Sequence, residues 1–329
     1  MAQHHLVVLI HGLQGNTGHM KFMEDRFKKL NQEEEYREEN YIVFNMKAND
    51  DKDTWSNNWS KTGDGIQNGG DRLISELKER IEGKVDEFDE KVEHKISFVG
   101  SSLGGLYCRY VMGSLFDNEK EKIVVQLKEK CFIFQLENYV AMASPLISVR
   151  CLVSTFFHYG MKAFFYKGTG NEMLLDDSNQ SEEAMICKLA SPKLNYYQAL
   201  KSCKRRIALC SCKKDETKVA YQSSAIAPYR DISDNQTDKS KPLPHLKSKL
   251  VKSVCYDEEG AFIEDLKNVD KSRFYFNGDS KATWIAKLIS NLRQMSWMRA
   301  DVDLYHAQAA IVNENRSEIA DLVLKLWTL

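Results

Sequence analysis

The sequence predicts an α/β fold, a mostly parallel central sheet with helices on both faces, and three features predict it. Short runs rich in apolar residues recur at 6–10, 41–44, 132–142 and 206–210, the pattern of strands covered on both sides. Between them, apolar residues recur at helical spacing, as in Met20, Met23, Phe27 and Leu30, so strands and helices alternate. The third feature is 95–112, KISFVGSSLGGLYCRYVM, which reads as strand, glycine-flanked turn and helix. A chain of 329 residues can bury a large core as one domain.

In order, residues 6–10 form the first strand, and His11-Gly12-Leu13-Gln14-Gly15-Asn16 follows at once. A helix carries Met20 to Leu30, and 41–44 is the next strand. A polar loop with Trp55 and Trp59 leads to Thr62-Gly63-Asp64-Gly65. Ile66, Leu73, Ile74, Leu77 and Ile81 mark an amphipathic helix ahead of the 95–112 unit. After the strand 132–142, the stretch 149–166 (VRCLVSTFFHYGMKAFFY) is rich in aromatic and aliphatic residues and has no acids. Periodicity alone allows a core helix pair. The sharper expectation is an apolar cap insertion, about 146–185, that excludes water beside the site. The strand 206–210 runs into a polar loop with Asp215. A charged, proline-containing excursion occupies about 230–279. Helices are expected around Trp284 to Met295 and Ile319 to Leu326, with His306 in a turn-like place between them.

Composition narrows the class. With 46 Lys and Arg against 47 Asp and Glu, nothing points to nucleic acid as a partner. The eight cysteines show no disulfide-framework spacing, and Cys210-x-Cys212 lacks zinc-ligand spacing. Reduced thiols suit a cytoplasmic location. No signal peptide or transmembrane run is expected, and neither metal nor cofactor.

Gly100-Ser101-Ser102-Leu103-Gly104 fits G-x-S-x-G, the nucleophile elbow. The turn is so tight that side chains two residues before and after the nucleophile would clash. Only Ser102 meets this condition, because Ser101 would need glycine where Val99 and Leu103 stand. The helix N-terminus behind it favours developing negative charge. With such an elbow, one oxyanion-hole amide comes from the residue after the nucleophile, Leu103, and the other from the loop after the early strand, Leu13.

A serine hydroxyl needs a base, and the base an orienting carboxylate. Downstream of Ser102 stand His158 in the apolar stretch, His245 in the charged loop, and His306 before the last helix, where the base belongs. For the acid, Asp215 follows a strand directly, while Asp257, Asp301 and Asp303 compete. Position alone favours Asp215.

These motifs resemble a eukaryotic serine esterase and lipase family of the α/β-hydrolase superfamily, formerly a domain of unknown function. The resemblance runs from Leu6 to about Val312. It rests on LVVLIHGLQGN (6–16), TGDGIQNGGDRL (62–73), FVGSSLGGLYCRY (98–110), GTGNEMLLDD (168–177), KKDETKVAYQSSAI (213–226) and NLRQMSWMRADVDL (291–304). It implies Ser102 as nucleophile, Asp215 as acid and His306 as base. Relatives are similar to lipases acting on monoacylglycerols or phospholipids, some at lipid-droplet surfaces. One departure borders the site: relatives usually show Pro-His-Leu-Gly where this chain has Pro145-Leu146-Ile147-Ser148.

The expected function is therefore an ester hydrolase cleaving fatty acyl esters of lipids, with peripheral membrane or lipid-droplet contact. Two alternatives stand beside it. One is a non-catalytic lipid-binding or scaffold protein on the same fold; the other is a thioesterase or small-ester esterase.

Overall fold

The computed structural model describes residues 3–33, 39–50, 61–128, 130–150, 168–212, 219–227, 238–261, 281–303 and 316–329. Among the described residues, ten strands form one sheet: β1 (His4–Ile10), β2 (Asn40–Asn45), β3 (His94–Ser101), β4 (Phe116–Asp117), β5 (Lys122–Leu127), β6 (Lys130–Met142), β7 (Arg205–Ser211), β8 (Ser240–Pro242), β9 (Val251–Asp257) and β10 (Trp297–Val302). The main order is β2-β1-β3-β6-β7-β10-β9-β8. The six strands from β2 to β10 run parallel, and β9 and β8 close that edge antiparallel.

Helices cover both faces. Strand β1 divides its side chains by parity, as a two-sided strand must. Val7 and Leu9 face a core shared with α1 (Lys21–Leu30) and α9 (Arg316–Thr328). Leu6, Val8 and Ile10 face the larger core packed by α2 (Ile66–Glu82), α3 (Leu103–Leu115), α5 (Met185–Leu189), α6 (Asn195–Ser202) and α8 (Ala282–Leu292). Two short helices, α4 (Thr169–Met173) and α7 (Tyr221–Ala225), complete the described set.

The hairpin β4–β5 escaped sequence reading. It pairs antiparallel with the start of β6, while β7 takes the same edge of β6 from Asn138 onward. Part of the charged 230–279 stretch is also sheet: β8 and β9 are strands, and His245 sits exposed in a turn between them. The core of the expected cap, 151–167, lies outside the described residues.

A bulge between β3 and β6 sets Glu137 and Asn138 opposite Ser97. The freed Asn138 N–H donates to Ser97 Oγ at 3.0 Å, and the Ser97 hydroxyl donates to His5 Nε2 at 2.8 Å. His5 Nδ1–H then donates to Glu39 at 3.1 Å. Burial holds the His5 ring below the usual histidine range, which keeps it neutral and fits this tautomer.

The other half of the sheet is pinned by buried charge. Asp257 on β9 is fully buried and takes Arg293 at 2.7 Å and Arg299 at 3.1 Å on one carboxylate oxygen. Its other oxygen accepts Ser240 Oγ–H at 2.7 Å. Arg293 also donates to the Ile226 carbonyl at 2.7 Å and to that of Ala225, so it clamps the end of α7. Removing one partner from such a cluster leaves uncompensated charge. Asp257→Ala is expected to cost about 3–5 kcal/mol of stability, read as a lower midpoint in urea unfolding.

Candidate active site

Ser102 is the hinge between β3 and α3, with φ 55° and ψ −125°. This is the left-handed side of backbone space, strained for a non-glycine residue. Neighbouring glycines make the turn possible through close approach. A Cβ on Gly104 would lie 2.2 Å from the Ile10 carbonyl oxygen, and one on Gly100 would lie 2.4 Å from the Gly104 carbonyl carbon. The Ser102 amide donates to the Met142 carbonyl at 2.8 Å, tying the turn to β6. The Ser102 side chain makes no hydrogen bond to another described residue, and the residue keeps 8% exposure.

The loop after β1 lies against this serine. A Cβ on Gly12 would stand 2.6 Å from Ser102 Cβ and 3.1 Å from its Oγ. The Gly12 carbonyl accepts from the Gly15 amide at 3.1 Å and from His11 Nδ1 at 3.0 Å. Because a peptide unit is planar and trans, holding that carbonyl aims the Leu13 N–H the opposite way. Neither the Leu13 nor the Leu103 amide has an acceptor among the described residues. His11 Nε2 in turn lies 3.1 Å from Asp50 Oδ1. Asp50 also accepts from the Thr17 amide at 3.0 Å and hydroxyl at 3.1 Å. Burial pushes the Asp50 carboxyl up, but the His11 and Thr17 contacts outweigh it and hold the group below its usual range.

Asp215 and His306 lie outside the described residues, as does His158. The strands that precede the first two are described. β7 and β10 are parallel neighbours, and their C-terminal ends share an edge of the sheet with that of β3. The competing acids are accounted for. Asp257 belongs to the buried arginine cluster. Asp301 is fully buried, accepts the Tyr221 hydroxyl at 2.8 Å, and is pushed up by burial. Asp303 pairs with Lys252 at 3.1 Å.

Ser148, at the position where the resemblance implies glycine, adopts φ 89°. Its hydroxyl donates to the Met173 carbonyl at 2.6 Å and accepts the Arg150 amide at 3.0 Å. These bonds offset the strain that glycine would avoid.

Residue-type reasoning missed Glu172. This carboxyl is nearly buried and accepts the Ile66 amide at 2.6 Å, the first N–H of α2. Burial pushes it up to about 7, with Asp177 and Asp64 adding repulsion against the Ile66 bond. The only sequence signal was the GTGNEM motif itself, which says nothing of the partner.

A mostly parallel sheet, a strained strand–serine–helix turn and an amide-bearing loop beside it define the α/β-hydrolase fold. The sequence model of the family described as "Putative serine esterase (DUF676)" matches residues 1–226. This chain belongs to that family. It is also 25% identical over 225 residues to the protein named "Putative lipase YDL109C" of Saccharomyces cerevisiae, covering 68% of this chain. The match spans 30% of the length of that relative. Among solved structures, a lipase-esterase related protein from Clostridium acetobutylicum is 14% identical, with 67% of this chain and 79% of that one covered and a TM-score of 0.34. The monoacylglycerol lipase of Paleococcus ferrophilus is also 14% identical, with coverages of 63% and 72% and a TM-score of 0.30. Family membership supports a general serine-hydrolase type of activity.

The raised Glu172 carboxyl has a measurable consequence. A folded-state value above the unfolded one means that the folded protein holds the extra proton, so this group's effect on stability worsens as pH rises from about 4.5 to about 7. Glu172→Gln should therefore gain on wild type by about 2–3 kcal/mol between pH 5 and pH 8, measured by urea unfolding at both values.

Proposed function

We propose that this protein is a serine ester hydrolase that cleaves fatty acyl esters through an acyl-enzyme on Ser102. The observation that carries the reading is the strained Ser102 turn with the Gly12 loop packed directly on it. In this reading His306 takes the proton from Ser102 Oγ as the oxygen attacks the acyl carbonyl. Asp215 holds the imidazole in the productive tautomer and stabilises the imidazolium. The amides of Leu13 and Leu103 hold the tetrahedral oxyanion, and the α3 N-terminus adds its dipole. His306 gives its proton to the departing alcohol, then activates water to release the acid.

A lipid acyl group is favoured by the acid-free apolar stretch 149–166 and agrees with the lipase designation of the yeast relative. Such a substrate would be met at a membrane or droplet surface. No helix among the described residues is long and apolar enough to cross a membrane. No disulfide joins any two of the seven described cysteines, which agrees with a cytoplasmic setting.

Ser102→Ala is expected to lower turnover of a p-nitrophenyl acyl ester by about 10³-fold or more and to abolish labelling by a fluorophosphonate. His306→Ala should do the same. Full activity in either variant would refute the assignment. An acyl chain-length series reads the substrate class: rising kcat/KM toward long chains supports a lipase, and a peak at acetyl points to a small-ester esterase.

A further inference from the structure

Two sequence motifs, 62–65 and 168–172, lie far apart in the chain and have no part in the reaction above. In the fold they meet beside the candidate oxyanion loop, and Thr62 is where they join. Thr62 is fully buried in the turn Lys61–Gly63. Its Oγ1 accepts the Gln14 amide at 2.9 Å. Its carbonyl accepts the Thr169 hydroxyl at 2.7 Å and the Tyr107 hydroxyl at 3.3 Å. Thr169 Oγ1 in turn accepts the Gly65 amide at 3.0 Å. Tyr107 stands on α3, the helix that begins just after Ser102, so the turn is bolted to the nucleophile's own helix.

We propose that Thr62 is a positioning residue for the oxyanion hole: its hydroxyl holds the Leu13–Gln14 peptide and thereby fixes the Leu13 amide. The inference rests on the hydrolase reading above. Two peptide planes flank the Leu13 Cα. The first, Gly12–Leu13, is held through its carbonyl by the Gly15 amide and His11. The second, Leu13–Gln14, is held through the Gln14 N–H by Thr62. With both planes fixed, neither backbone torsion of Leu13 can drift. The second hold matters because Gln14 sits at φ 52°, a conformation that strains a non-glycine residue. Without an acceptor for its N–H, Gln14 relaxes toward the common region and turns the adjoining peptide with it. An oxyanion donor works only within about 2.7–3.1 Å of where charge develops, and a misplacement of about 1 Å can cost 10²-fold.

The test is Thr62→Val, which keeps the shape and removes the hydroxyl, beside Thr62→Ser, which keeps the hydroxyl. For ester hydrolysis, Thr62→Val should lose about 10- to 100-fold in kcat with KM little changed, and Thr62→Ser should stay near wild type. A trifluoromethyl ketone forms a tetrahedral oxyanion on the serine, so its inhibition constant should rise with Thr62→Val by the same factor. If Thr62→Val does not fold, Thr62→Ala serves, since it places no methyl where the hydroxyl stood. Wild-type kcat in a folded variant lacking the hydroxyl would overturn the proposal, and so would an equal loss in Thr62→Ser. Should the wild type itself neither hydrolyse esters nor label with a fluorophosphonate, the hydrolase reading falls instead.

Discussion

The approach of the first turn of α3 to the end of β1 is the constraint on which the site depends. Gly104 is pressed against the Ile10 carbonyl so closely that no side chain fits between them. That contact requires β1 and β3 to be parallel neighbours in a fixed register, with Ile10 opposite Gly100. It also delivers the loop after β1 onto Ser102, because the chain leaving Ile10 has nowhere else to go. The positive φ of Ser102 follows from the same crowding: the chain must reverse from strand to helix within one residue. A bond from the Ser102 amide to β6 then fixes the turn against the third strand.

Buried polar groups do the rest of the positioning, and they differ in kind. Around the loop after β1 they are mostly neutral: hydroxyls of Thr62, Thr169 and Tyr107 and backbone amides. Such bonds carry direction at modest desolvation cost. In the half of the sheet near β9 and β10 they are charged. Asp257, Arg293 and Arg299 are each essentially inaccessible to water. An ion cluster of this sort adds little net stability compared with apolar packing, yet its partial loss is costly. It ties α7, α8, β9 and β10 together. In the chain, α7 follows the segment that carries Asp215, and β10 precedes the one that carries His306.

Much of the fold was legible in the sequence because two-sided strands and amphipathic helices leave periodic marks. β1, β2, β3, β6 and β7 sit where runs rich in apolar residues stand, and α1 and α2 sit where apolar residues recur at helical spacing. The β4–β5 hairpin was not, since β4 has two residues and the exposure of β5 varies along its length. Strands β8 and β9 were hidden by their polar and charged residues. Asp257 illustrates why: a carboxylate that marks a loop in sequence is, on β9, the centre of a buried ion cluster.

At the site, the sequence by itself singled out Ser102, because the glycine requirement is local and only one of two adjacent serines meets it. It also marked the loop after the first strand and the family to which the chain belongs. Only the tertiary structure decided what Thr62, Thr169 and Glu172 touch, and which bonds hold Ser148 in its left-handed conformation. Local spacing records which residues share a strand or a helix face. Hydrogen bonds between Gln14 and Thr62, or between Ile66 and Glu172, join residues 48 and 106 positions apart, and no periodicity within one element encodes a partner in another.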